Sequence, residues 1–176
     1  MGGQLKRHSS PSLQRGFTIV ELLIVIIVIA VLAAIVTVAY NGITQRAYFT
    51  NYRTDIENLN KAILMYYTEH GTYPGTGGSG SCWTDITNGN DVFIPNIVPA
   101  YINQIPAVPN WSNGKNYYAY CWSTNYTDYK LIRLVPGGAT IPQPEQDQVA
   151  KDPSIGMDPT RPGRSWGLWS PGGSSL

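Results

Sequence analysis

The chain is poor in charge, and poorer still in the residue types that carry chemistry. Only 13% of its 176 residues are Asp, Glu, Lys or Arg, with two histidines and two cysteines. Cys82 and Cys121 stand far apart with no histidine company, which excludes a zinc site and favours a disulfide. Closing so long a loop would stabilise the fold by roughly 4 kcal/mol on the chain-entropy argument. Each cysteine precedes a tryptophan, Trp83 or Trp122, and these are expected to shield the bridge. His8 lies in the basic N-terminal stretch, and His70 falls at a helix end, where the helix dipole accounts for it. No catalytic constellation is visible, so the sequence reads as a non-enzyme with no cofactor and no metal. The segment Asp85–Asp91, DITNGND, is rich in oxygen ligands. Its glycine stands fifth, however, where a calcium loop needs it sixth. Asn110-Trp-Ser and Asn125-Tyr-Thr match the glycosylation pattern, as chance allows in a chain rich in asparagine. A basic excess is missing too. The formal charge is +1, and losing residues 1–16 with Lys6, Arg7 and Arg15 leaves nine bases against eleven acids, or −2. Nothing there draws nucleic acid or anionic lipid by charge.

What the chain does have is one long apolar run. From Leu22 to Val36 fifteen consecutive residues are apolar, and within 17–40 the polar exceptions are Thr18, Glu21 and Thr37. Twenty-four helical residues reach about 36 Å, enough to cross a hydrocarbon core of roughly 30 Å with some tilt. Glu21 is the anomaly, since a carboxylate inside a spanning helix costs about 2.5–3.5 kcal/mol and persists with a partner. The nearest bases along the chain are Arg15 and Arg46. A cut between Gly16 and Phe17 would supply a cation, because it frees an α-amine four residues from Glu21.

Gly16 followed by Phe17-Thr18-Ile19-Val20-Glu21 and a long apolar helix resembles the class III signal of type IV prepilins and type II secretion pseudopilins. The resemblance implies a prepilin peptidase/N-methyltransferase that cuts after Gly16 and methylates Phe17. It implies that Glu21 pairs with an N-terminal amine during assembly, and that the partners are other copies of the chain or related pilins and an inner-membrane assembly platform. Nucleic acid is not an expected partner. The function so implied is that of a structural subunit of a type IV pilus-like filament. A type II secretion pseudopilin, or a membrane-tethered adhesin or DNA-uptake module, is the alternative. The family usually carries a glycine and a proline inside the spanning region, where this chain has Ala30 and Val38.

An ordinary signal anchor and a conventional secretory signal with Thr37-Val38-Ala39 as its cleavage site remain as rival readings. The run is longer than the usual 7–15 residues, holds a glutamate, and follows the glycine-phenylalanine junction, all of which weigh against a secretory signal. Basic residues before the helix predict a cytoplasmic leader, a single pass and an exported head. After assembly the head would stand in an extracellular filament.

Beyond Tyr40 the helical pattern continues through Asn41-Gly42, a weak point. Phe49, Tyr52, Ile56, Leu59, Ile63 and Tyr66 then recur at spacings of three and four, one face of an amphipathic helix. Glu57 and Lys61 are placed for an i,i+4 ion pair on the other side, and Gly71 with Pro74 gives the stop. Residues 75–116 read as a long connection with one short helix near Ile97 to Ile102. Tyr117–Trp122 and Tyr129–Val135 read as a hairpin that must lean on the helix stripe. The expected fold is α+β and pilin-like: a long N-terminal α-helix, transmembrane in its first half, packed against a small antiparallel β-sheet head. The expected divisions are a leader at 1–16, an assembly helix at 17–40, a head at 41–135, and a C-terminal tail at 136–176. Seven prolines and seven glycines keep that tail from packing a layer of its own. A peripheral or disordered tail is expected; within it Arg161, Arg164, Trp166 and Trp169 offer a nucleic-acid clamp, but a loose tail whose tryptophans dock on the head or on a neighbour is favoured.

Overall fold

A computed structural model describes residues 16–77, 79–84, 92–109, 116–135 and 137–176. The basic residues Lys6, Arg7 and Arg15, together with His8, the Asp85–Asp91 segment and Asn110, lie outside the described residues. Helix α1 runs Ile19–His70 without interruption, through Ala30, Val38 and Asn41-Gly42. By internal contacts the chain forms two compact units, Met1–Tyr40 and Asn41–Leu176.

In the second unit α1 presents the predicted stripe. Phe49, Tyr52, Ile56, Leu59 and Ile63 are buried, and Tyr66 is partly so. The helix stops where Gly71 takes a positive φ of 70° and returns its N–H to the Tyr67 carbonyl at 2.8 Å, a turn that suits glycine. Glu57 pairs with Arg53 at 3.0 Å, and Arg53 also reaches Asp152 at 3.0 Å. The base that Glu57 meets is thus one turn before it rather than at Lys61, and Arg53 bridges it to Asp152.

Against this stripe lies a five-stranded antiparallel sheet. Its strands are β1 (Ser81–Thr84), β2 (Tyr117–Trp122), β3 (Tyr129–Leu134), β4 (Gly156–Met157) and β5 (Ser165–Trp169), in the order β1-β2-β3-β5-β4. The expected hairpin is β2 and β3, in register from Tyr117↔Leu134 to Trp122↔Tyr129. Alternation sends Tyr118, Tyr120, Leu131, Arg133 and Trp166 to the helix face. The tyrosine hydroxyls reach across: Tyr118 donates to Asp55 Oδ2 at 2.6 Å, Tyr129 to Asn60 Oδ1, and Tyr120 to the Pro74 carbonyl at 2.9 Å. Burial pushes the Asp55 carboxyl up, against the opposing effect of the Tyr118 hydroxyl.

Three expectations need correction. Residues 97–102 form turns rather than a helix, with one Tyr101 N–H to Ile97 carbonyl bond at 2.9 Å. Pro99 stands in their midst, and a residue before proline is steered away from helical geometry. The tryptophans do not shield the disulfide. Cys82 and Cys121 are direct cross-strand partners, so Trp83 and Trp122 point to the opposite face, where their rings meet edge to face at 5.2 Å.

The third correction is the largest: residues 137–176 are part of the head. Helix α2 (Gln143–Lys151) carries buried Glu145 and Val149, and β5 pairs with β3 along its length. Ile141, Val149, Ile155 and Trp166 all belong to the core. The prolines and glycines serve this packing. Pro144 sits in the first turn of α2, where a missing N–H costs nothing, and a Cβ at Gly167 would lie 2.0 Å from the Leu131 carbonyl oxygen. These residues need no layer of their own, because β3 offers an edge to extend. Trp166 is fully buried, with its ring centroid 5.3 Å from that of Phe49 and its Nε1–H donating to Glu145 Oε1 at 2.6 Å. Glu145 also holds Arg133 at 2.9 Å. Burial pushes the Glu145 carboxyl up despite Arg133 and Trp166, which pull it down. With Trp166 buried and Arg161 bound to Asp158 at 2.9 Å, the clamp is not assembled.

Truncation after Val135 is therefore expected to unfold the head. Trp166→Ala should cost about 3–5 kcal/mol, read as a shift in the urea midpoint, whereas an unchanged midpoint would place Trp166 outside the core.

Candidate functional site at the helix N-terminus

Thr18 precedes the first helical residue and carries a β-hydroxyl, the chemistry that satisfies free N–H groups at a helix start. Its Oγ1 accepts the Glu21 N–H at 3.2 Å, while Glu21 Oε2 accepts the Thr18 N–H at 2.8 Å and the Thr18 hydroxyl at 2.7 Å. The Leu22 N–H closes the first turn on the Thr18 carbonyl at 3.2 Å. This is a reciprocal capping box. The carboxylate that the sequence left waiting for a cation has, in the single chain, a neutral partner three residues away. The pattern Thr-x-x-Glu before an apolar run is a recognised signature, so this pairing was readable from the sequence.

Gly16 and Phe17 lie just outside the helix. Phe17 is 89% exposed. A Cβ built on Gly16 meets nothing within 4 Å, and its φ is not positive. Among the described residues, nothing in the space around that position calls for glycine. From Ile19 to Val36 the large apolar side chains stand 50–84% exposed. Among the described residues α1 is the one helix long and apolar enough to cross a membrane. Thr37 returns its hydroxyl to the Ala33 carbonyl at 2.8 Å, which removes the last polar side chain of that run from its surroundings.

The other predicted site residues form the bridge. Cys82 and Cys121 are joined, with Cα atoms 4.0 Å apart, and fasten edge strand β1 to β2. His70 ends α1 stacked on Tyr66 at 4.0 Å, with its Nδ1 3.0 Å from the Tyr66 carbonyl. The described residues hold no group of three metal-ligating side chains.

An exposed apolar helix with a capped carboxylate at its head, and a separate disulfide-bonded unit of helix stripe on antiparallel sheet, define an α+β protein built to place that helix in apolar surroundings. Residues 11–37 match the prokaryotic N-terminal methylation motif. The chain is 40% identical over 68 residues to a fimbrial protein of Neisseria meningitidis serogroup B, covering 39% of this chain and 40% of that one. It is 38% identical over 69 residues to the type IV major pilin protein PilE1 of Neisseria gonorrhoeae, covering 39% and 32%. Over 125 residues it is 31% identical to the type II secretion system core protein G of Escherichia coli K12, covering 71% of this chain and 83% of that protein. The chain belongs to the type IV prepilin and pseudopilin family. It spans about 40% of the length of the fimbrial protein it matches, and no solved structure matches it.

Removing the Thr18 hydroxyl should open the box. In detergent micelles Thr18→Ala is expected to speed amide exchange at Glu21 about fivefold, in line with a loss of about 1 kcal/mol for a cap, while Thr18→Ser keeps the wild-type rate. Equal rates in all three would show that the hydroxyl does not hold the turn.

Proposed function

We propose that the chain is a structural subunit of a type IV pilus-like filament. In this reading a prepilin peptidase/N-methyltransferase cuts after Gly16 and methylates Phe17. The apolar part of α1 first anchors the subunit in the membrane with its head exported. It then packs in the filament core with other copies or related pilins, delivered by an inner-membrane assembly platform. The observation that carries the reading is Gly16. Among the described residues nothing would meet a Cβ there, and the methylation motif covers the position, which supports an enzyme that reads the junction. No catalytic role is part of this proposal.

Glu21 is the assembly residue. A carboxylate in apolar surroundings gains more from a cation than from a neutral donor. The α-amine of a neighbour's Phe17 would displace Thr18 as its partner. A second reading, a pseudopilin of a type II secretion system, is favoured by one fact: the core protein G match extends over 71% of the chain, where the fimbrial matches stop near 39%.

Mass spectrometry of the mature protein should find an N-terminus at Phe17 carrying one extra methyl group. An uncut chain, or one beginning at Tyr40, would sink the proposal. Glu21→Ala should yield a processed, membrane-inserted monomer that joins no filament, and wild-type filament yield from it would make Glu21 a bystander.

A further inference from the structure

One face of the sheet packs on α1, and on the other stands Lys130, the second residue of β3 and completely buried. Lysine is rarely buried without partners. This one is surrounded by oxygen. Its Nζ donates to Asp158 Oδ1 at 3.1 Å, to Thr160 Oγ1 at 3.3 Å, to the Ser174 carbonyl at 2.7 Å and to the backbone oxygen of Leu176. Asp158 is itself fully buried and fully engaged. Its Oδ1 also accepts the Thr160 N–H at 2.9 Å and the Thr160 hydroxyl at 2.8 Å, and its Oδ2 accepts Arg161 and Ser165, each at 2.9 Å. Burial pushes the Asp158 carboxyl up, but hydrogen bonds from Thr160, Arg161 and Ser165 outweigh it and hold it down at about 2, so the carboxylate stays charged.

The oxygens around Lys130 come from two stretches well apart in the sequence, residues 158–160 and 174–176, which also touch directly where the Thr160 hydroxyl reaches the Leu176 backbone oxygen at 3.4 Å. Between them the chain is drawn tightly onto β3. The Ser170 N–H meets the Tyr129 carbonyl at 3.1 Å, Tyr129 N–H returns to Ser170 Oγ at 3.1 Å, and Gly172 N–H reaches Asp128 Oδ1 at 3.0 Å. A Cβ on Gly173 would fall 2.0 Å from the Tyr129 carbonyl oxygen. One carboxylate, one hydroxyl and two main-chain oxygens are the ligand types of a hard cation such as calcium. An ammonium, with three donors and no acceptor, meets the same four oxygens by sharing one N–H between two of them, and it is not exchangeable.

We infer that Lys130 is a tethered cation that clasps residues 158–176 onto the sheet, filling from within the protein an oxygen cage that a free metal ion would otherwise have to fill. The C-terminal part of the head then holds its fold whether or not divalent cations are present. This clasp belongs to the head alone and stands independently of the filament reading.

The test uses the full chain in detergent micelles, with amide exchange at residues 170–176 and the thermal midpoint as readouts. Wild type should give the same values in chelator and in millimolar calcium chloride. Lys130→Met, which keeps length and loses charge, should speed exchange at residues 170–176 by ~100-fold and lower the midpoint by on the order of 10 °C. Calcium should not restore it, because the thioether still fills the cage. Lys130→Ala empties the cage and should be partly restored by calcium. If neither variant folds, Asp158→Asn decides, with an expected rise in exchange of about tenfold at residues 170–176. Loss of wild-type protection in chelator, wild-type exchange in Lys130→Met or Asp158→Asn, or indifference of Lys130→Ala to calcium would each overturn the clasp.

Discussion

The head depends on a single closure: the stripe Tyr52, Ile56, Leu59 and Ile63 of α1 meeting the inner face of β2, β3 and β5. Two strands alone are marginal in water, and a helix stripe left bare would cost the transfer of every one of those side chains. Tyrosine is the residue that lets the two surfaces meet over their full width, because its ring fills apolar space while its hydroxyl reaches a polar partner beyond it. Tyr118, Tyr120 and Tyr129 all do this. Each spans from the sheet to Asp55, to the chain just past the helix end at Pro74, or to Asn60. Three of the chain's twelve tyrosines are spent here.

That closure fixes what the C-terminal residues can do. Once β3 lies under α1, its second edge is bare, and an unpaired edge invites pairing. β5 takes it, placing Trp166 opposite Arg133 and beneath Phe49. Arg133 then sits in a ring of partners: Glu145 at 2.9 Å, Asn116 Oδ1 at 2.8 Å, and the face of Tyr52 at 4.8 Å. A buried ion pair of this kind is a weak source of stability, since desolvation offsets most of the attraction. Its effect is to tie α2, through Glu145, to a particular point on β3.

The parts legible in the sequence were those that carry a period or a long run. The α1 stripe, the stop at Gly71, the β2–β3 hairpin and the disulfide all follow from spacing, glycine geometry or cysteine count. β1 was not legible, because four residues, Ser81–Thr84, hold too short an alternation to separate from loop. Residues 137–176 were misread for a different reason. Composition judges whether a segment can build a core alone, and this one adds single residues, Ile141, Val149, Ile155 and Trp166, to a core that already exists. At the site, Gly16, Phe17 and Glu21 stood out at once. Thr18 was passed over as a polar exception, although its distance of three from Glu21 is what makes the capping box.

A chain with so few charges shows plainly what each one in apolar surroundings is for. In the apolar surroundings proposed for α1, Glu21 would pose the physical problem that Lys130 poses inside the head, an ion placed where water does not compensate it, and the two solutions differ in reversibility. Glu21 is met by one residue three positions away, through donors that are neutral and exposed. Such a partner is easily replaced by a cation, as the proposed exchange of partners between subunits would require. Lys130 is met by oxygens from separate stretches, all closed over it. Releasing it would mean unpairing an ammonium from a carboxylate, a hydroxyl and two main-chain oxygens in one step, and each loss leaves a buried polar group unsatisfied. An ion whose partner would change on the proposed assembly is therefore held by a single nearby residue at an open helix end. An ion that must never change partner is held by several distant ones inside the sheet's cover.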